Sequence, residues 1–176
     1  MTDLRYPIGQ FEHAGPVTEN DLERWFADLE ALPEQMRSAV TGLSDAQLDT
    51  PYRPGGWTIR QVVHHMPDSH LNSYIRFKWA LTEDEPTIKA YDEARWAELP
   101  DSRLPIGPSL MFLDIIHTKL LLLLRNVSRE QLERRFVHPA SGSTELAWNV
   151  GMYAWHGRHH LAQITGLLER EDWRTL

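Results

Sequence analysis

Apolar positions recur at helical spacing in four stretches of the chain, separated by segments rich in Pro, Gly and acidic residues. In the first stretch the stripe is Leu22, Trp25, Phe26, Leu29, Leu32, Met36, Val40 and Leu43. Thr18 stands before it as an N-cap, with Glu19 and Asp21 in the first turn where carboxylates suit the helix dipole. Pro33 predicts a bend or a split. In the second stretch the stripe is Ile59, Val62, Val63, Met66, Tyr74, Phe77 and Leu81, opened by a Thr58/Gln61 capping box. Pro67 predicts a kink there, because its missing N–H and its ring cost about 3 kcal/mol in a helix interior. The third stretch, 109–126, is the most apolar run, yet it carries Asp114, His117 and Lys119. It reads as a buried helix of a bundle and not as a membrane span. The fourth, 144–168, has no Pro and places Leu146, Val150, Tyr153, Leu161, Ile164 and Leu168 on one stripe.

The segments between these helices carry their own signals. Residues 1–17 read as an irregular arm. Ser44/Gln47 and Ser128/Gln131 are short capping-box turns, each after a long helix and each before a Pro/Gly loop and a His-bearing helix. That weak repeat predicts two helix pairs packed as one bundle. The loop holding Pro139 and Gly142 precedes the last helix, and the long segment 83–108 is expected to enclose a short helix near 91–99. The expected architecture is all-α: a four-helix bundle forming a single domain over residues 1–176.

Composition narrows the chemistry. A net charge of −7 opposes an electrostatic nucleic-acid footprint. No basic amphipathic segment for a membrane surface is visible. The absence of cysteine excludes disulfides, thiolate metal ligands and a cysteine nucleophile. The N-terminal stretch shows no secretory h-region, so a cytoplasmic location is expected.

Six of the nine histidines lie within 64–70 and 156–160. His156 and His160 are four apart, so on a helix they share one face and can reach one metal ion. The alternative is a solvated or partly buried His-rich face. A bundle builds metal sites from facing helices, and His65 on the second helix completes a three-nitrogen set with them. Three protein ligands leave a position for water or substrate, the catalytic pattern for zinc; nickel also suits imidazole. His65, Ser69, Asn72 and Arg76 form a polar strip that reads as solvent exposure or as the wall of a site. His64 reads as an outer-face residue. Asp114 and His117, three apart, read as a local pair or an acid–base couple. Trp57, Trp148 and Trp155 read as core. No nucleophile elbow, P-loop or dinucleotide fingerprint is present.

Several long strings resemble the YfiT-like branch of the DinB superfamily: RPGGWTIRQVVHH (53–65), DSHLNSYIRFK (68–78), ALTEDEPTIKAYDEARWAELPDS (80–102), YAWHGRHHLAQIT (153–165) and RYPIGQF (5–11). The similarity covers nearly the whole chain. Its Trp opening the second helix and its His eight residues later match Trp57 and His65, and its H-x3-H pair on the last helix matches His156 and His160. Pro67 departs from the family pattern. The resemblance implies up-down-down-up connectivity, one divalent ion per chain (zinc or nickel), a homodimer, and the arm and the 91–96 segment beside the metal cavity.

Three functions compete. Relatives in this superfamily imply transfer of a metal-activated low-molecular-weight thiol, such as bacillithiol, to a small electrophile. The branch also carries the label of metal-dependent hydrolases, in which water takes the open position. Gly157 follows His156 where the H-E-x-x-H motif has its glutamate base, which favours the thiol. The third class is a non-catalytic metal-binding stress-response module. Candidates for contacting a small-molecule substrate are Arg60, Asn72, Arg76, Tyr91 and Arg158, the arginines because their fork matches carboxylates.

Overall fold

In the computed structural model, which describes residues 3–173, the four apolar stripes are four long helices. Helix α1 (Glu19–Val40) begins at Thr18, whose hydroxyl accepts from the Asp21 N–H while the Asp21 carboxylate accepts from the Thr18 N–H. It is not split at Pro33. A proline cannot serve the carbonyl four residues before it. That carbonyl, of Leu29, instead accepts from the ring of His117. A short helix, α2 (Asp45–Leu48), leads to α3 (Ile59–Thr82), and both open with the expected capping boxes. Helix α3 also continues through Pro67, which is buried.

The long connection after α3 holds α4 (Glu93–Trp96), shorter than expected, and a 3-10 turn at Pro100–Arg103. Then come α5 (Gly107–Leu124) and α6 (Arg129–Leu132), the latter opened by its Ser128/Gln131 box. The loop expected next is an antiparallel hairpin of β1 (Arg135–His138) and β2 (Gly142–Glu145), with Phe136 buried and paired to Thr144. Helix α7 (Leu146–Arg170) closes the bundle.

Contacts between helices fix their directions. Along α1 and α7, Trp25 lies against Gly151 and Leu32 against Gly157, so the two run parallel. A Cβ at Gly151 would come within 2.6 Å of the Trp25 ring; the glycine permits the close approach. Between α3 and α7, His65 meets His156 while Arg76 meets Tyr153, so these are antiparallel. Between α3 and α5, His64 meets Ser109 and His70 meets His117, so these are parallel. The connectivity is therefore up-down-down-up, and the long 83–106 crossover is what a parallel α3/α5 pair requires.

The apolar core is divided. One cluster surrounds Trp25, Phe77, Leu120 and Val150; the other surrounds Met36, Val62, Met66, Leu113 and Ile164. Between them, at the middle of the bundle, lie the histidines of α3, α5 and α7. Helix α5 differs from the buried helix its composition predicts. It is long and apolar enough to cross a membrane by composition alone. One face packs inward through Leu113, Ile116, Leu120 and Leu124, while Met111, Ile115 and Leu122 are about 60% exposed.

Candidate metal centre

Helices α3 and α7 bring His65, His156 and His160 together. One ligating nitrogen from each lies within 4.8 Å of the others. The Nε2 atoms of His65 and His156 are 3.2 Å apart. Nitrogens around a tetrahedral ion at about 2.0–2.1 Å sit about 3.3 Å from one another, so the spacing suits such an ion. Burial holds the His65 imidazole at a pKa of about 4. Burial first, and neighbouring histidines second, push His156 and His160 well below the ordinary range. All three rings are neutral at pH 7, which is the form that ligates.

His156 is oriented by two further buried histidines. His117 Nδ1 lies 2.6 Å from the Leu29 carbonyl, which can only accept. His117 Nε2 therefore accepts from His70 Nδ1–H, 2.9 Å away. His70 Nε2 in turn accepts from His156 Nδ1–H at 3.3 Å. The polarity set at one backbone carbonyl thus passes through two rings and leaves the lone pair of His156 Nε2 facing His65. Burial holds His117 at about 4 and His70 well below the ordinary value, so neither ring carries a second proton that would reverse the chain.

His160 is held from the other side. The Gln163 amide nitrogen faces the Arg5 carbonyl at 3.2 Å and His159 Nε2 at 2.9 Å, so it donates to both. Its oxygen then accepts from His160 Nδ1–H at 2.8 Å, leaving Nε2 of His160 to ligate. Second contacts of this kind fix tautomer and ring orientation at metal sites. The Trp57 ring stacks 6.2 Å from His160 and lies 4.7 Å from His65, so it walls the site as well as packing, half-buried, against the second core cluster.

The three histidines line a cavity of about 700 Å³ with Arg5, Tyr6, Ser69, Arg76, Tyr91, Glu93 and His138 among the other walls. Arm and long loop therefore both reach it, as expected, although Phe11 instead packs on Trp25 and Trp148. Burial raises the Tyr91 phenol, which pairs with Ser69.

Other candidates fall elsewhere. Arg60 is buried in ion pairs with Asp45 at 2.7 Å and Asp49 at 2.6 Å, where it ties α3 to the preceding turn. Asn72 donates to the Asp68 carbonyl one turn back and does not line the cavity. Arg158 points outward and pairs with Asp28 at 3.4 Å. His64 is not an outer-face residue: it is buried, its ring bonded to Ser109 Oγ and the Leu104 carbonyl, because α5 and the segment before it cover that face. Asp114 is exposed while His117 turns inward, so they form no acid–base couple. The sequence pattern assigns no site role to His70 or Gln163, and it reads His117 only as a partner of Asp114 and Tyr153 only as a core position. His70 does lie four residues after Met66 on the core stripe, a position where a histidine must find buried partners.

Comparison with known proteins is consistent across sequence and structure. The profile described as the DinB superfamily matches residues 28–164. Proteins of Bacillus mycoides (strain KBAB4) and Bacillus cereus (strain B4264), each provisionally named a metal-dependent hydrolase, are 56% identical over 173 residues, covering 98% of this chain and all of theirs. The solved structure of YfiT from Bacillus subtilis superposes with a TM-score of 0.95 at 44% identity, covering 97% of this chain and 99% of that one. YfiT is described, again provisionally, as a metal-dependent hydrolase with an unusual four-helix bundle topology. TT2238, a four-helix bundle protein, matches with a TM-score of 0.60 at 20% identity, over 82% of this chain and 98% of its own.

Proposed function

The chain belongs to the DinB superfamily, and on that premise we propose that it is a divalent-metal-dependent enzyme whose ion, one per chain and either zinc or nickel, is held by His65, His156 and His160. The reaction we assign is transfer of a low-molecular-weight thiol of the bacillithiol type to a small electrophile. One observation carries this reading: three neutral imidazoles converge in a cavity whose described walls include a single carboxylate, Glu93, and that one is exposed. A divalent ion held there would deprotonate a coordinating thiol outright and would draw the pKa of a bound water toward ~7. A thiol would therefore need no protein base: its proton would leave to solvent on coordination, and the thiolate would then form the sulfur–carbon bond as the bond to the leaving group breaks and that group departs with its electron pair. The chain's own residues do the rest. His70 and Gln163 hold the rings in place, Trp57 closes one wall, and Tyr91 and Arg76 face the bound molecule.

Hydrolysis is the second reading, favoured by the names of the relatives. Glu93, the single carboxylate among the cavity's described walls, is then the candidate base. Cobalt-substituted protein separates the two readings. The thiol reading expects a sulfur-to-metal charge-transfer band with bacillithiol or cysteine, lost in His156→Ala, and thiol-dependent consumption of an electrophile. Turnover of an ester or amide with no such band gives the hydrolase. Neither activity, with metal bound, gives a non-catalytic module. We also propose that the chain is a homodimer through the exposed apolar face of α5, because Met111, Ile115 and Leu122 form a strip on one side of that helix.

A further inference from the structure

Burying a charge is tolerated when a counter-charge accompanies it. Two arginines are deeply buried among the described residues, and they differ in this respect. Arg60 has two aspartates. Arg76, only 8% exposed, has no carboxylate partner. Its Nη1 donates to the Tyr153 hydroxyl at 3.3 Å, and its buried Nε has no hydrogen-bond partner at all. Its titratable neighbours His138 and Tyr91 supply no negative charge. Burial, and then Arg76 itself, push His138 below its ordinary pKa, and burial keeps the Tyr91 phenol protonated.

Arg76 lines the same 700 Å³ cavity as the three histidines, together with Arg5 and Arg53. In a chain of net charge −7, this cavity gathers three arginines against one exposed glutamate. Arg76 also lines an adjoining chamber of about 260 Å³ walled by Phe136, Trp148 and Met152. Tyr153, which Arg76 contacts, precedes His156 by three residues, about one helical turn of α7.

We propose that Arg76 is the docking point for a carboxylate on the small molecule this cavity takes, so that the substrate class is small organic acids held with the reacting atom about one helical turn away at the histidine cluster. The guanidinium fork matches a carboxylate in planar, bidentate geometry. The apolar chamber behind it receives a hydrocarbon substituent. The position of the reacting atom rests on the metal-enzyme reading; the docking of the acid does not.

The test is equilibrium binding of succinate and of its uncharged analogue succinamide, by calorimetry, to metal-free and zinc-loaded protein. Metal-free wild type should prefer succinate at least tenfold. Arg76→Met should abolish the preference, Arg76→Lys should keep part of it, and His156→Ala should keep it all. Without ligand, Arg76→Met should melt no lower than wild type, since it removes an unpaired buried charge. A preference that survives Arg76→Met, is absent from wild type, or appears only with zinc and disappears in His156→Ala overturns the inference. So does a fall in melting temperature of ten degrees or more in Arg76→Met, which makes Arg76 a structural cation. Failure of metal binding alone would leave the succinate preference of metal-free protein untouched, so the two readings fail separately.

Discussion

His156 and His160 stand one turn apart on the same helix, yet they are held from opposite sides of the molecule. His156 is rooted in the core. Its partner is His70 on α3, whose partner is His117 on α5, whose partner is a backbone carbonyl of α1. All four long helices thus contribute to the orientation of one ring. His160 is tied at the cavity mouth to Gln163 on its own helix, and through it to the Arg5 carbonyl of the arm. The His156 ring is set by the interior of the bundle. The His160 ring is set by a single side chain and a segment without regular structure. The site therefore combines a fixed side with an adjustable one.

The comparison makes ranked predictions. His70→Leu should weaken zinc binding about 100-fold and Gln163→Leu about 10-fold, the two ends of the range usual for such second contacts. Competition with a chromophoric chelator measures both, and the reverse ranking would break the comparison.

Acid should strike the core side hard. His65 and His117 titrate at about 4 in the folded chain but near 6.5 when unfolded. Between those values the unfolded state binds more protons, so stability rises with pH and is lost as pH falls below about 6.5. Each of these two groups should remove about 2 kcal/mol by pH 5. Asp68, raised to about 6 by burial, pulls the other way, but it is one partly exposed group. Thermal melts of metal-free protein should therefore show a much lower midpoint at pH 5 than at pH 7.5; equal midpoints would mean these rings are not buried neutral.

Pro33→Ala sharpens the account further. It restores an N–H that competes with His117 for the Leu29 carbonyl. The variant should melt higher, because an unfavourable helical proline is gone. It should also bind zinc several-fold more weakly. Unchanged affinity would show that the carbonyl does not set the chain of histidines. The smallest effect on the metal is expected from Ile115→Lys on the outer face of α5. It should leave zinc affinity within twofold while converting dimer to monomer in sedimentation.

Much of this was legible in the sequence because it is local. The capping residues Thr18, Ser44, Thr58 and Ser128 act within three residues of themselves, and the H-x3-H pair declares its own face on a helix. What was not legible is long-range. Nothing near His117 says that its partner is Leu29, 88 residues away, and nothing near Pro33 says that the carbonyl it strands will be used. The split expected as one alternative at Pro33 does not occur, because the penalty of a proline is local while the partner for the stranded Leu29 carbonyl comes from another helix. Arg60 resembled a substrate contact until Asp45 and Asp49 folded against it. The hairpin at 135–145 was missed because its strands are four residues each, too short for an alternating pattern to declare itself.

His65, His156 and His160 are the three side chains we propose hold one divalent ion. Elemental analysis of purified protein tests this most directly. Wild type should carry one zinc or nickel ion per chain. His65→Ala, His156→Ala and His160→Ala should each carry almost none, while His64→Ala and His159→Ala keep theirs. Full metal content in His156→Ala or His160→Ala would contradict the account.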